Sequence, residues 1–473
     1  MKRSFLALLM LAIAVVTLNS CFGDDENKFN SYDDAAITSF VLSAGNVYTT
    51  VKSSTGADST YKTVLVVKNY PFHINQLTHE IYNPDSLPYG TDAAHILVSL
   101  STKNGGEAVV KSMYSDSIKS FSNTDSLDFT QERIFYVYSN SGAQVTNYKV
   151  KLNVHQQDGE KTSWNSLTAD EGLAGLTAGM KAVVLGERML VFGSDGKETN
   201  GYATALNDGK NWELLSSNLD AAFGAEAYQQ LAGNGSLLFL LDGNTLYKTV
   251  DGETWEALGD KGLTMLLGAT QARLYGLTAE SAIVSSSDGG ATWVEDEMEN
   301  DVKLLPQRSI SLCSNALKAN PQSHQLLLGG VPAGDDVTAG VVWIKVEEAD
   351  EYGHDTPWSA ISAEDAGKYP LPALQNMQIV AYDNGYLALG GSGVGSYKAT
   401  AFSTFYKSDD SGLTWHTDGS VTLPEGFSGN ESAWTMAVDG NNNLWIITGQ
   451  DGQVWRGRLN RLGWTVNEKA FTE

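Results

Sequence analysis

Ser286-Ser287-Asp288-Gly289-Gly290-Ala291-Thr292-Trp293 is a turn whose residue types carry a mechanical design. A hydroxyl at its head and a carboxylate two residues on can bond the backbone of the bend. A glycine supplies a positive φ that other residues resist, and the closing tryptophan brings a large ring to bury. The same order returns at Ser408-Asp409-Asp410-Ser411-Gly412-Leu413-Thr414-Trp415 and, one residue shorter, at Thr249-Val250-Asp251-Gly252-Glu253-Thr254-Trp255. A degraded copy stands at Asn207-Asp208-Gly209-Lys210-Asn211-Trp212. Each hydrogen bond of such a turn contributes about 1 kcal/mol net, so the motif specifies a fold and performs no reaction. Asp208, Asp251, Trp255, Asp288, Gly290, Trp293, Asp410, Gly412 and Trp415 are therefore read as structural, with the geometry of the shortened turn left open.

A second element repeats in step. Glycine-flanked aliphatic runs occur at Arg188-Met189-Leu190-Val191-Phe192, Leu237-Leu238-Phe239-Leu240-Leu241 and Arg273-Leu274-Tyr275, then at Gln325-Leu326-Leu327-Leu328, Tyr386-Leu387-Ala388-Leu389 and Leu444-Trp445-Ile446-Ile447. Each precedes another strand and then a tryptophan: Trp212, Trp255, Trp293, Trp358, Trp415 and Trp464. Four-stranded units at this period predict a β-propeller over residues 157–473, because one blade cannot bury both faces alone and a closed ring can. The count is six blades. A seventh stays open, since Lys161-Thr162-Ser163-Trp164 reads either as the relic of another turn or as the strand that closes the ring. The turns around Asp288 and Asp410 match the Asp-box, the bacterial neuraminidase repeat, at every defined position.

Residues 36–156 have a different rhythm. Arg133-Ile134-Phe135-Tyr136-Val137-Tyr138, the turn Ser139-Asn140-Ser141-Gly142 and Tyr148-Lys149-Val150-Lys151-Leu152 alternate apolar and polar positions, the period of a strand with one buried face. An antiparallel sandwich is expected, and its terminal hairpin resembles the immunoglobulin-like modules of Bacteroidetes surface lipoproteins. The whole chain resembles a Bacteroidetes lipoprotein family of unknown function, in which a module carrying Ile81-Tyr82-Asn83-Pro84-Asp85-Ser86-Leu87-Pro88-Tyr89-Gly90-Thr91 precedes an Asp-box propeller. The resemblance implies an all-β fold and an envelope location. It implies no reaction.

The N-terminus supplies an address. Lys2 and Arg3 precede an apolar run over residues 5–18, too short to span a bilayer comfortably, so residues 1–20 read as a signal peptide. Leu18-Asn19-Ser20-Cys21 resembles the lipobox of bacterial lipoproteins, which makes Cys21 the lipidated residue and the membrane a partner through that lipid. Residues 21–35 form the lipid anchor and an acidic tether. In Bacteroidetes lipoproteins such acidity behind the cysteine resembles an export signal to the outer face of the outer membrane, and a plain flexible tether has the same composition.

The formal net charge of −25 argues against nucleic acid as a partner. Cys313 is the one other cysteine, so no disulfide framework forms, and the seven histidines lack the paired spacing of a zinc site. No cofactor, no metal and no catalytic residue is expected. Residues 362–368 have room for one helical turn. Three functions remain: a binding propeller for a glycan or an envelope protein, a non-catalytic scaffold of an envelope complex, and a sialidase-like glycoside hydrolase. Trp343, Trp434, Trp445 and Trp455 belong to no tryptophan turn and are the candidate binding residues, since indole faces stack on sugars; blade packing is the plainer use of them. A sialidase needs three arginines around a carboxylate. The propeller offers Arg188, Arg273, Arg308, Arg456, Arg458 and Arg461, with Glu187 and Glu431 as carboxylates that nothing in their spacing singles out.

Overall fold

The computed structural model describes residues 30–52, 58–348, 354–417 and 419–464. The expected signal peptide and Cys21 lie outside the described residues. The described chain is nearly all β and divides into two compact units, the second running from Gln157 to Trp464.

In the first unit the strand Arg133–Tyr138 pairs antiparallel with Val145–Lys151 and with Glu107–Lys111, inside a six-stranded sheet. A two-stranded sheet, Ile37–Ala44 with Leu97–Thr102, packs Ile37, Phe40, Leu42 and Val98 onto Phe135, Val137, Tyr148 and Val150 of the larger sheet. The alternation read in the sequence is the alternation of burial along Arg133–Tyr138. One pairing departs from the antiparallel expectation: Glu80–Tyr82 runs parallel to Val145–Lys151. The reason lies in the segment that follows. Asn83 is buried, its amide donating to the Asp85 and Asn153 carbonyls at 2.8 Å while its Oδ1 accepts from the Asn153 N–H at 2.7 Å. Leu87 then bonds the chain beside Asn153 and His155, so the proline-braced segment is carried along the last strand in its own direction.

In the second unit the described residues form six four-stranded antiparallel sheets, five of them meanders and the sixth completed by a strand from the start of the unit, the first with a short extra strand at Phe223–Gly224. The inner strands are Gly179–Leu185, Leu231–Gly233, Leu263–Ala269, Arg308–Ala316, Gln378–Tyr382 and Trp434–Val438, for blades 1 to 6 in order. Each glycine-flanked aliphatic run is the second strand of its blade, and the whole of that strand is buried or nearly so in blades 2, 3, 5 and 6. The inner strands of neighbouring blades lie against each other all the way round, blade 6 returning to blade 1.

The ring is closed by the chain's own start. Thr162–Ser166 pairs antiparallel with Val454–Leu459 and is the outer strand of blade 6. The tryptophan of that strand is Trp164, whose indole donates to the Thr422 carbonyl at 2.7 Å. This pairing decides the alternative left open for Lys161-Thr162-Ser163-Trp164 in favour of the closing strand, and it corrects the reading of Trp464. Lys161-Thr162-Ser163-Trp164 is no relic of a seventh blade, and Trp464 is not the turn tryptophan of the sixth but follows a short 3-10 turn and is 39% exposed. Beside the closure, Arg461 reaches blade 5, its two terminal nitrogens donating to the two oxygens of Asp383 at 2.6 and 2.5 Å. A bidentate guanidinium pair with a carboxylate that is only 4% exposed adds direction to the closure as well as strength. The helical turn expected near 362–368 is Ala363–Ala366, and a second one, Glu171–Ala174, is capped by Asp170.

Candidate functional site

The six inner strands are sheet edges, and an edge carries backbone groups with no strand beyond them. They surround an axial channel of about 640 Å³. Polar side chains from adjoining blades take up several of these edge groups. Gln230 Oε1 accepts from the Leu266 N–H at 2.8 Å, Gln378 Oε1 from Met436 at 2.8 Å, Ser311 Oγ from Ile379 at 3.1 Å and Thr435 Oγ1 from Ala182 at 2.8 Å. These residues hold the wall together.

Each meander is entered from the outer strand of the blade before it, so all six inner strands start at the same rim. That rim carries Lys181, Tyr228, Gln229, Gln307, Arg308, Gln375 and Asn376. The far end of the channel is lined by Val184, Gly233, Ala269, Cys313, Ala381 and Val438, small or aliphatic throughout. Every formally charged group of the lining is cationic. Lys181 Nζ donates to the Gln229 carbonyl at 3.3 Å, and Arg308 Nη2 donates to the carbonyls of Pro332 and Gly334 at 3.0 and 3.1 Å. Burial among the inner strands pulls the Lys181 ammonium down to about 8. Burial pushes the Cys313 thiol up to about 12, and the thiol donates to the Ile379 carbonyl at 3.0 Å, so it is a packed, protonated group and not a nucleophile.

The turns read as structural all close in one way. In each, the indole N–H donates back to the carbonyl of the turn glycine: Trp212 to Gly209, Trp255 to Gly252, Trp293 to Gly290 and Trp415 to Gly412, at 3.0 to 3.3 Å. The head hydroxyl accepts from that glycine's N–H and, in the three fuller copies, donates to the aspartate. The shortened turn at Asp251 keeps all of these bonds. Each glycine, at φ between +76° and +89°, also abuts the preceding blade, Gly252 against Leu190, Gly290 against Leu246 and Gly412 against Leu327. The turns join blade to blade on the outside of the ring, away from the channel. Bonds from Thr254 and Glu253 hold the Asp251 carboxyl below the usual range, and bonds from Thr292 do the same for Asp288.

The candidate binding tryptophans require correction. Trp343, Trp434, Trp445 and Trp455 are all at most 4% exposed. Three of their indoles are committed, to the Leu304 carbonyl, the Asn376 carbonyl and Asp439 Oδ2. Trp455 packs edge-on to Phe427. A ring with both faces inside the core has none to stack on a sugar, so these are blade-packing residues. The sialidase constellation does not assemble either. Arg308 lines the channel, while Arg188 caps the Asp251 turn and Arg273 pairs with Asp355. Arg456 and Arg458 bond backbone carbonyls, and Arg461 holds Asp383. Glu431 is spent on the N–H and hydroxyl of Ser392, and Glu187 is exposed on a hairpin.

The model of the family described as the DUF6242 beta propeller domain matches residues 158–467, and that of the DUF6242 N-terminal domain, of unknown function, matches residues 40–152. The chain belongs to the DUF6242 family. No curated protein matches this DUF6242 chain. Solved structures are similar to it at low identity and low TM-score. The structure described as YCF48 bound to D1 peptide is 15% identical over 63% of this chain and 95% of that one, with a TM-score of 0.35. The GH74 xyloglucanase from Xanthomonas campestris is 15% identical over 71% and 51%, with a TM-score of 0.33. A calcium structure of the Trichoderma reesei AA12 family is 12% identical over 64% and 96%, with a TM-score of 0.37. These likenesses assign no activity.

Sequence reasoning missed Lys181 as a site residue of this DUF6242 chain. The signal was present in Gly179-Met180-Lys181-Ala182-Val183-Val184-Leu185, a lone cation in an apolar inner strand. Only ring closure turns that strand's free edge into a channel wall.

Proposed function

We propose that this chain is a non-catalytic binding propeller of the cell envelope, which seats a segment of a protein partner at the polar rim of its axial channel. The channel is the observation that carries the reading: a concave site of ligand size, with amides and two cations at one end and an aliphatic wall at the other. A protein partner is favoured over a glycan because the tryptophans that would stack on sugar rings are buried. The reading includes an immunoglobulin-like first module serving as a spacer, and attachment to the outer membrane through a lipid on Cys21, facing the cell exterior.

The test is site-specific photo-crosslinking of the full-length protein in its native envelope. A photo-reactive residue at exposed Gln229, on the rim, is expected to trap a discrete protein adduct that the same residue at exposed Glu295, on an outer strand, does not. Equal adducts from both positions would sink the channel as the binding site. Tight binding to a neutral oligosaccharide on a glycan array, without any rim-specific adduct, would return the glycan reading.

A further inference from the structure

We infer that the polar rim of the channel binds an acidic peptide segment, seating one of its carboxylates on the ammonium of Lys181 opposite Arg308. The inference rests on the binding reading above and names the chemistry of the ligand.

The case starts from the buried and part-buried cations of this propeller that are paired with carboxylates. Lys345 lies 2.5 Å from Asp296 and 3.1 Å from Asp355, and Lys407 lies 3.3 Å from Asp383 and 2.9 Å from Asp409. Arg273 pairs with Asp355, and Arg461 with Asp383 and Glu160. Lys181 has no such carboxylate; Arg188, Arg456 and Arg458 also bond only backbone carbonyls, but none of those three lines the channel. The one hydrogen bond of Lys181 within the described structure is the 3.3 Å contact to the Gln229 carbonyl, and no carboxylate lines the channel. An ammonium has three donors, and on part-buried Lys181 the donors not used by Gln229 are left to the channel. In a chain with a formal net charge of −25, a channel whose only formal charges are positive is a local inversion of sign. A ligand carboxylate would supply the missing partner.

Placement supports the pairing. Lys181 belongs to the inner strand of blade 1 and Arg308 to that of blade 4, which stand across the axis in a ring of six. Arg308 is exposed at the rim, while Lys181 sits further in on a partly buried strand. An entering anion therefore meets the guanidinium first and the ammonium second. The amides of Gln229, Gln307 and Gln375 pair donors with acceptors, as a peptide backbone does, and the aliphatic far end accepts a short apolar side chain. Among the described residues the aromatic side chains of the lining are Tyr228, part-buried against the core, and buried Trp434, too little for a train of stacked sugars.

The groups that face Lys181 are Tyr228 from the approach to blade 2, and Arg308 and Cys313 from blade 4; blades 3, 5 and 6 contribute no titratable group to the lining. Burial raises the Tyr228 phenol above its ordinary value and puts the Cys313 thiol at about 12, so between pH 7 and 9.5 the lysine is the group whose charge changes. Its enclosure brings the loss of charge to about pH 8, and carboxylate affinity falls as pH rises through that value.

The experiment uses the full chain, immobilised, and three hexapeptide libraries: amide-capped with one aspartate, amide-capped with asparagine in its place, and neutral with a free C-terminal carboxylate. The expected result is retention of an acidic set at least about tenfold more tightly than the asparagine set at pH 7, weakening toward pH 9.5. Lys181→Met is expected to abolish the preference and Lys181→Arg to keep much of it. Retention of the aspartate set places the carboxylate on a side chain, and retention of the free-acid set places it at a chain terminus. Arg308→Met, at an exposed position, is expected to weaken the same preference and gives a second readout should Lys181→Met fail to fold. Equal retention of acidic and asparagine sets, unchanged by either variant, overturns the inference and leaves the binding reading standing. No retained peptide at all overturns the binding reading itself, and Lys181-dependent binding of hexagalacturonate alone overturns the peptide class.

Discussion

Blades 2, 3 and 5 and blade 4 pack a tryptophan against the preceding blade by opposite means. In the first three, the indole donates to a glycine carbonyl three residues away, inside a turn whose aspartate and hydroxyl bond only their own neighbours. In blade 4 the sequence before the outer strand Ser359–Ala360 lacks that motif, and Trp358 donates at 3.0 Å to Asp296, which follows the outer strand of blade 3. Asp296 also accepts from Ser285 at 2.6 Å and pairs with Lys345, while Glu347 accepts from Tyr275 at 2.6 Å and from Thr270 at 3.1 Å. A local turn divides its work among several bonds of about 1 kcal/mol each, and losing one leaves little unpaired. The cluster between blades 3 and 4 is shut away from solvent, and removing one member strands a charge. The difference teaches that a repeat can lose its motif and keep its blade, provided a long-range network takes over.

The largest effect is expected from breaking that network. Lys345→Met leaves Asp296 and Asp355 enclosed without their ammonium and should cost about 3–5 kcal/mol, read from urea unfolding of the propeller. A loss under about 1 kcal/mol would mean that the cluster does not fasten the seam. Next comes Gly412→Ala. The added methyl would lie 2.4 Å from Leu327 Cδ1 of blade 4, at a φ of +89°. The two penalties together should cost about 2–4 kcal/mol, and an alanine accepted without loss would show that the turn does not press on its neighbour.

Asp410→Ala sharpens the comparison from the weaker side. It removes acceptors from Ser408 and Thr414 in a turn reached by solvent and should cost about 1–2 kcal/mol by thermal melting. The smallest effect concerns acid. The carboxyl of Asp410 lies below its ordinary value because bonds from Thr414 and Ser408 outweigh its burial, and Asp251 and Asp288 are depressed likewise. A depressed folded value contributes stability above the unfolded carboxylate value of about 4, which is lost as pH falls through the folded one. Replacing all three aspartates by asparagine should flatten the acid limb of the stability curve below about pH 4. An unchanged limb would assign it to Asp355 and Asp383, whose carboxyls are depressed by cation partners against the cost of burial.

How legible each feature was follows from whether its cause is local. The second strand of every blade was readable because an aliphatic run between glycines means the same thing wherever it occurs. The closing strand was readable only as one of two options, because Trp164 makes its pairing with Val454–Leu459, far away in the sequence. Trp464 was misplaced for the same reason: its position after the sixth aliphatic run copies the repeat, but the outer edge of blade 6 was already taken. Trp343, Trp434, Trp445 and Trp455 looked available because no motif claimed them. Leu304 and Asn376, the partners of Trp343 and Trp434, lie far off in the sequence, where no period reveals them, and Asp439, the partner of Trp445, sits in the turn of the same hairpin without belonging to the repeated motif.

What the sequence by itself determined is the repeating unit: strand periods, turn chemistry and the tryptophans that turns require are short-range properties of neighbouring residues. What only the tertiary structure decided is the number of blades, the fate of the unclaimed tryptophans and the existence of a channel with Lys181 in its wall. An inner strand carries the same residues in an open sheet as in a ring. Closure alone brings six free edges around one axis, and there a single lysine in an aliphatic strand becomes a charge facing a cavity.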